Sequence, residues 1–461
     1  MTHPPSTSFH HFTDNHPDRS GTIQATAGYN IPLGEGWRSI HATYYFTHNW
    51  RHRRSSLYLL DRLNEEPAAI DELPSMTDYQ QVMDSTNTFD SRMRENSHRL
   101  DINLGYKFNK AKYGQIWTLL NGNITLHQQH LDYQRGSIDT TLCRTAVSIT
   151  LDDNTFLDFK NGQIGMTMGI RQVLPALEQR IDLRDDTDPM NVRLGNTRLH
   201  PSVTPDFGVS GSYRFKRGYH YMEWHQKRTF NAIAMGCTYD NRTGARTYRP
   251  ENVNGNYTTD AGYTFHCALD SAKKLNLDVP FHVTHSQSVD LVGTTAGDAA
   301  MSTGPQCSKV KRLAISLLPS FKANIGKHHF DFVCQPVWER LSSDRQDFQD
   351  FSAFTCRTSL AAILKLPWKL DLSTDLTLYS RTGYADEALN TNDLVWNARL
   401  SRPFLKGRLL VVFDGFDLLG QFSNVTRTLN AQGRTETWTN VMPRYALLHV
   451  VYRLNKQPKK Q

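Results

Sequence analysis

The chain has 461 residues, 38% of them hydrophobic and 21% charged, with a formal charge of +7. Mean hydropathy is −0.55, and no stretch approaches the roughly 18 consecutive apolar residues that argue for a membrane-spanning helix. Positive charge is dispersed apart from the tail "KQPKKQ", so nothing points to nucleic acid. These figures describe a soluble protein by default, with one class excepted: transmembrane strands carry their apolar face in every second residue and average out as hydrophilic.

Residues 1–20, "MTHPPSTSFHHFTDNHPDRS", are polar and lack the apolar core of a secretory signal. From residue 21 the chain alternates. "GTIQATAGYNI" sets Ile23, Ala25, Ala27, Tyr29 and Ile31 against Thr22, Gln24, Thr26, Gly28 and Asn30. "DINLGYKFN" sets Ile102, Leu104, Tyr106 and Phe108 against Asp101, Asn103, Gly105 and Lys107. In 207–215, Phe207, Val209, Gly211, Tyr213 and Phe215 oppose Gly208, Ser210, Ser212 and Arg214. "LNLDVPFHV" and "WKLDLSTDLTLY" repeat the pattern further on. Period two over nine or more residues is a strand signal, and these strands outrun the 5–6 residues usual in globular proteins. No convincing helix is visible. Pro280, Pro319 and Pro336 fall inside expected strands, where proline cannot donate to a ladder, so each calls for a bulge or a strand end.

The connections divide into two kinds. Short turns occur at "PLGEGW", "NKAKYG", "FKRGY", "DSAKK", "NIGKH", "LPW" and "FLKG". Long polar loops are expected at 51–97, 128–140, 176–203, 241–254, 287–308, 340–351, 380–392 and 419–442. Trp37, Tyr106, Phe108, Phe215, Tyr219, Trp368 and Phe404 sit beside the short turns, where an interfacial aromatic girdle belongs. Short turns on one side and long loops on the other are the plan of a transmembrane antiparallel β-barrel in an outer membrane. About 17 strands are visible, ending with Arg444–Leu454, whereas bacterial single-chain barrels close with an even number. The turn within 139–174 is poorly defined. The expected plan is therefore a polar stretch (1–20), a barrel (21–454) and a basic tail (455–461), truncated at the N-terminus. In the last strand, Leu448, Val450, Tyr452 and Leu454 are expected to face lipid, and Leu447, His449 and Arg453 the lumen.

No phosphate-binding, nucleophile-elbow or zinc-protease motif occurs. His127 and His130 of "LHQQH" are three apart and point to opposite faces of a strand, as do the adjacent His10/His11 and His328/His329 pairs. Asp371 and Asp375 share a face and read as hydrated lumen lining, partnered by Lys369 or Arg399. The six cysteines, Cys143, Cys237, Cys267, Cys307, Cys334 and Cys356, are scattered with no C-x-x-C pair. Arg434 and Trp438 in "NAQGRTETWTN" are ligand-loop candidates, with plain solvated loop the blander reading. No catalytic group, metal or cofactor is expected.

"DPMNVRLGNTRLHPSVTPDFGVSGSY" (188–213) resembles the loop-then-strand signature of TonB-dependent receptors and the related outer-membrane β-barrel family. Gly195, Asn196, Leu199 and Pro201 match it, and Thr197 stands where that family usually has proline. "YRPENVNGNYTTDAGYTF" (248–265) is similar to its strand entry through Asn252 and Gly255, and the last 110 residues to its C-terminal strands. The resemblance implies a Gram-negative outer-membrane protein with a 22-stranded barrel, a plug domain, a TonB partner and an imported ligand. Neither plug nor TonB box is recognisable here. The expected function is ligand import by the barrel part of such a receptor. A passive porin or surface-binding barrel is the alternative, and a barrel hydrolase is a more distant one.

Overall fold

The computed structural model describes the backbone of residues 11–15, 17–34, 39–62, 80–111, 114–295, 303–345, 350–384, 390–421, 425–430, 433–438 and 444–454, with single positions at 348 and 387. Strands dominate, interrupted by 3-10 turns, and no helix among the described residues is long and apolar enough to cross a membrane.

β1 (His11–Asn15) and β2 (Arg19–Pro32) lie end to end along β3 (Ser39–Leu59). Each following strand pairs antiparallel with its predecessor: β4 (Phe89–Ala111), β5 (Gly114–Arg135), β6 (Ile138–Phe159) and β7 (Gly162–Val173). β8 (Arg184–Asp185) and β9 (Asn191–Leu194) leave this wall, which resumes with β10 (Ser202–Phe215) and β11 (Gly218–Thr229). A hairpin of β12 (Ala232–Asp240) and β13 (Arg246–Val253) leaves it again, and β14 (Asn256–Ala268) pairs directly with β11. The wall continues through β15 (Leu275–Thr295), β16 (Thr303–Leu317) with its continuation β17 (Ser320–Ile325), β18 (His328–Ser343), β19 (Phe351–Leu366), β20 (Leu370–Thr382), β21 (Thr391–Phe404) and β22 (Leu409–Phe416). β23 (Val425–Asn430) and β24 (Gly433–Trp438) form a separate ribbon, and β25 (Tyr445–Tyr452) pairs with β22.

With β1 and β2 counted as one stave, and β16 and β17 as another, the wall has seventeen staves, matching the number read from the sequence. Among the described residues β2 pairs only with β3, and β25 only with β22. An odd number of antiparallel staves makes these two flanking strands run in the same direction. They cannot meet in the antiparallel pairing used everywhere else in the wall.

The register sorts side chains onto two faces. One row across the wall reads Tyr106, Thr118, Thr155, Met166, Val209, Trp224, Ala261, Val283, Ile315, Trp338 and Phe354. A row on the opposite face reads Asp152, Gly169, Asp206, Lys227, Thr258, Ser286 and Arg312. The first face is the exposed one: Ile23, Ile124, Met222, Leu360, Phe413, Leu448 and Val450 all have about half or more of their surface accessible. An apolar surface of this extent on a monomer marks a lipid or protein interface. Asp153 is an acid on that face, and its carboxylate accepts bonds from the Thr118 and Thr155 hydroxyls at 2.8 and 3.0 Å.

Several expectations need correction. The 128–140 segment is a tight hairpin, with β5 running to Arg135 and β6 starting at Ile138 around Gly136, whose φ of 56° suits glycine. The 51–97 loop shrinks likewise, because β3 extends to Leu59 and β4 begins at Phe89. The 287–308 loop loses its ends to β15 and β16. In β3 the extension "RHRRSS" is polar on both faces, so alternation does not reveal it. In β4, β5 and β15 the apolar residues of the extensions, Phe89, Met93, Leu131, Tyr133, Val289 and Leu291, are few and set among charged and polar ones. The 241–254 loop is largely the second half of the β12–β13 hairpin, and the unclear turn within 139–174 falls after Phe159. Tyr219 lies on the polar face, its ring 5.2 Å from that of His266, and so leaves the girdle, while Trp37 lies outside the described residues.

The prolines need no bulge. Register is unbroken from Ser316–Val337 to Ser320–Val333, and from Phe281–Leu317 to Asp278–Ser320. Pro280, Pro319 and Pro336 therefore sit at one height on three adjacent staves, which gathers the missing donors in a single place.

Candidate functional site

Two insertions into the wall build the site. Between β7 and β10 the chain turns through Glu178–Arg180, β8 and β9. Leu177 and Ile181 from this segment pack on Leu131 and Tyr133 of β5, with Phe89 and Met93 of β4 beside them. All four wall residues lie on the polar face by register, so the segment lies against the inside of the wall and buries the apolar residues that this end of the inner face offers. The second insertion, the β12–β13 hairpin, reaches the opposite way. β12 pairs in parallel with the end of β15, and β13 in parallel with β9. The result is a bridge from β15, through β12, β13 and β9, to the inner surface of β4 and β5.

The sequence motif residues hold this bridge together. Asn196, buried, donates through Nδ2 to the Pro250 carbonyl and to Glu251 Oε2, both at 2.9 Å. Asn252 Oδ1 accepts from the His200 amide at 2.7 Å, and its Nδ2 donates to the carbonyls of His200 and Asn231 at 3.0 and 2.8 Å. Leu199 is buried. Pro201 directly precedes β10, where its fixed φ suits strand entry. At Gly195 a Cβ would fall 1.7 Å from the Ile181 carbonyl oxygen, so glycine is required by close approach. Gly255 has φ of 114° at the entry to β14. The two segments that look like separate signatures in the sequence, 188–213 and 248–265, are thus the two halves of one clasp.

Under the bridge lies a cavity of about 270 Å³. Its walls include Arg53, Phe89, Tyr133, Arg135, Asp185 and Arg193, with Met235 and Pro250 of the hairpin as a lid. Arg135 is nearly inaccessible, at 3% side-chain exposure. Its Nη2 donates to Asp185 Oδ1 at 2.5 Å, and to Asn87 Oδ1 and Thr187 Oγ1 at 2.7 Å. Burial alone would raise the Asp185 carboxyl, but the bonds from Arg135 and Thr187 outweigh it and lower the pKa to about 2. Arg53 Nη1 stands 3.7 Å from Glu178 Oε1. With three arginines against two carboxylates, the lining carries a net positive charge, and aromatic rings flank it. Such a lining can hold an anionic or acceptor-rich molecule through charge-assisted hydrogen bonds.

None of these charged residues was singled out from the sequence. Arg135 and Asp185 carry no local motif, and they meet only because the 176–199 segment folds inward. The ribbon of β23 and β24 contains Arg434 and Trp438, whose side chains lie outside the described residues. Asp371 and Asp375 do share the polar face, but with other partners than expected: Lys365 Nζ reaches Asp371 at 2.7 Å and Asn397 Nδ2 donates to Asp375 at 2.9 Å. Strand pairing places Lys365 directly opposite Asp371. Arg399 instead binds Asp414, which His449 also contacts at 3.0 Å. His127 and His130 split between faces: His127 bonds Glu95 and Ser148, while His130 contacts Cys143 and Asp132. Among the described residues no group of acidic, histidine and cysteine side chains is arranged to hold a metal.

Residues 157–452 match the family model described as "Outer membrane protein beta-barrel family". The chain belongs to that family. It is an all-β antiparallel protein of the cell outer membrane, and the exposed apolar face is its lipid-facing surface. Solved structures similar to it include BauA, the ferric preacinetobactin receptor from Acinetobacter baumannii, at 11% identity and TM-score 0.46, covering 94% of this chain and 63% of that one. The ferric citrate transporter FecA matches at 11% identity and TM-score 0.48, covering 94% and 61%. The outer membrane transporter YddB from Escherichia coli matches at 8% identity and TM-score 0.43, covering 97% and 66%. The chain thus spans less than two thirds of the length of each of these proteins. No curated protein matches it in sequence.

Proposed function

We propose that this outer-membrane wall is the barrel part of an import receptor, which binds its ligand beneath the bridge and passes it along the polar face. The observation that carries this reading is the bridge itself. Two insertions are clasped across the inner face above a cationic cavity, which supplies a built binding pocket inside the wall. The chemistry required is binding and conduction, with no bond made or broken by this chain. The ligand is expected to bear an anionic or acceptor-rich group facing Arg53 and Arg193, and an apolar part against Phe89 and Met235.

Strands outside this chain complete the wall in the import receptor. Unpaired edges at β2 and β25 would leave backbone groups unsatisfied in hydrocarbon, at several kcal/mol per group. Additional staves, odd in number, relieve this and make the total even. A plug domain and a TonB partner belong to the same reading. The test is the reading frame that runs into Met1: a plug segment with a TonB box and further strand patterns supports energised import. A signal peptide joined directly to Met1 supports the passive barrel instead.

A further inference from the structure

On the lipid-facing side, β16 presents Lys309 and Lys311 directly above Leu313, Ile315 and Leu317. Lys311 is paired with Gln287 on one side and Ser342 on the other, and Leu313 with His285 and Arg340. Gln287 is paired with Tyr257, and Tyr257 with Arg228. Four cations therefore share one outward patch. Lys309 and Lys311 are about 7 Å apart along one strand, and Arg340 lies on the diagonal from Lys311, at roughly 7–8 Å. All four are exposed. Lys309, Lys311 and Arg228 side chains have no partner among the described residues, and Arg340 makes a loose 3.7 Å contact with Asp350. Asp344 is engaged by the Lys309 amide. No carboxylate stands on the outward face of β14, β15 or β16 among the described residues. The acids beside the patch are Asp344, opposite Lys309 just past the end of β18, and Asp350, so four cations face two carboxylates.

The row immediately below is Trp224, Ala261, Val283, Ile315 and Trp338. From Ile325 to Leu313 the outward face of β17 and β16 carries Ile325, Ala323, Phe321, Leu317, Ile315 and Leu313. At about 3.3 Å per residue and a tilt near 40°, this run spans roughly 30 Å, close to the ~25 Å apolar band of outer-membrane strands. The cations stand where that band ends, at the level of lipid headgroups, with tryptophans at the boundary.

We propose that Lys309, Lys311 and Arg340, flanked by His285 and Arg228, form a binding site for the phosphate of a membrane lipid, whose acyl chains lie along Val283, Ile315 and Trp338. Charge complementarity and continuity with the lipid-facing band both select a lipid occupant over a soluble anion. The site is on the opposite face from the cavity under the bridge and is independent of it.

The test uses the complete gene product folded into phosphatidylcholine vesicles containing a minor fraction of phosphatidic acid. Protein is extracted in mild detergent and the retained lipid is measured by mass spectrometry. The wild type is expected to enrich phosphatidic acid over its bulk fraction, and the triple variant K309Q/K311Q/R340Q to lower that enrichment at least tenfold, given the free energy typical of each basic residue at an anionic surface. Lys311→Glu alone should lower it further than Lys311→Gln. Lys227→Gln, at similar height on the polar face, should leave it unchanged, and excess inorganic phosphate should not displace the lipid. Equal enrichment in wild type and triple variant, an equal loss with Lys227→Gln, or displacement by inorganic phosphate would overturn the proposal. Heat-modifiable gel migration checks that each variant is folded.

Discussion

Arg135 and Asp185 are the residues on which the inner end of the bridge depends. The Asp185 carboxyl is held at about 2, below its ordinary value. A group with a depressed folded pKa stabilises the native state above its unfolded pKa, and loses that contribution as pH falls through the folded value. The Asp185 contribution should therefore be complete above roughly pH 4 and fade towards pH 2. Amide exchange over residues 178–196, corrected for intrinsic rates, should show protection falling in that window. Asp185→Asn should loosen the segment at neutral pH and flatten the acid dependence. Arg135→Met should be the more damaging change, about 3–5 kcal/mol, because it leaves a partly buried carboxylate without its cation. Unchanged exchange in both variants would remove the pair from its role. On the lipid face, Leu448 lies in the row of Leu400 and Phe413, so Leu448→Arg should cost roughly 2–4 kcal/mol and impair assembly. Val450 is a milder position than the sequence suggested, because its row contains Val411 and Arg402, near the turn at Leu405–Gly407. The cost of a cation falls near that interface. Urea titration of the refolded variants in vesicles compares the two.

At the level of elements, the wall divides into short turns on one side and insertions on the other. If the insertions face the cell exterior, a cysteine at Thr243, in the β12–β13 turn, should react with an impermeant thiol reagent on intact cells. One at Lys327, in the β17–β18 turn, should not. The opposite labelling would invert the wall. What the sequence revealed follows the same division. Alternation exposes a strand only where one face is apolar, which is why "DINLGYKFN" and "GTIQATAGYNI" were legible. The upper part of β3, "HNWRHRRSS", is polar on both faces and reads as loop until its ladder with β4 is seen. Motif residues such as Asn196 and Asn252 were visible as a signature, but their partners across the clasp lie 52 to 55 positions away in the chain, beyond any local pattern. Arg135 and Asp185 were invisible for the same reason: their chemistry arises from an inward fold and from no periodicity.

Among the described residues the molecule is a wall of seventeen staves with a bridged mouth, whose β2 and β25 edges are not paired with each other. Its outer face is fitted to hydrocarbon, and its inner face is polar from Asp152 across to Arg312. The import reading requires the β2 and β25 edges to be separated by further staves in the complete protein. If the total is the 22 that the receptor resemblance implies, five staves intervene. Six spacings of about 4.8 Å then place β2 and β25 roughly 29 Å apart along the wall. Spin labels at Ala27 and Leu448, both on the outward face, report this separation by double electron–electron resonance in the complete gene product folded in membranes. The expected distance distribution is centred well beyond 15 Å, set by staves standing between the labels. A short distance, with the two strands as direct neighbours about 5 Å apart at the backbone, would contradict it and leave a self-contained barrel of these staves alone.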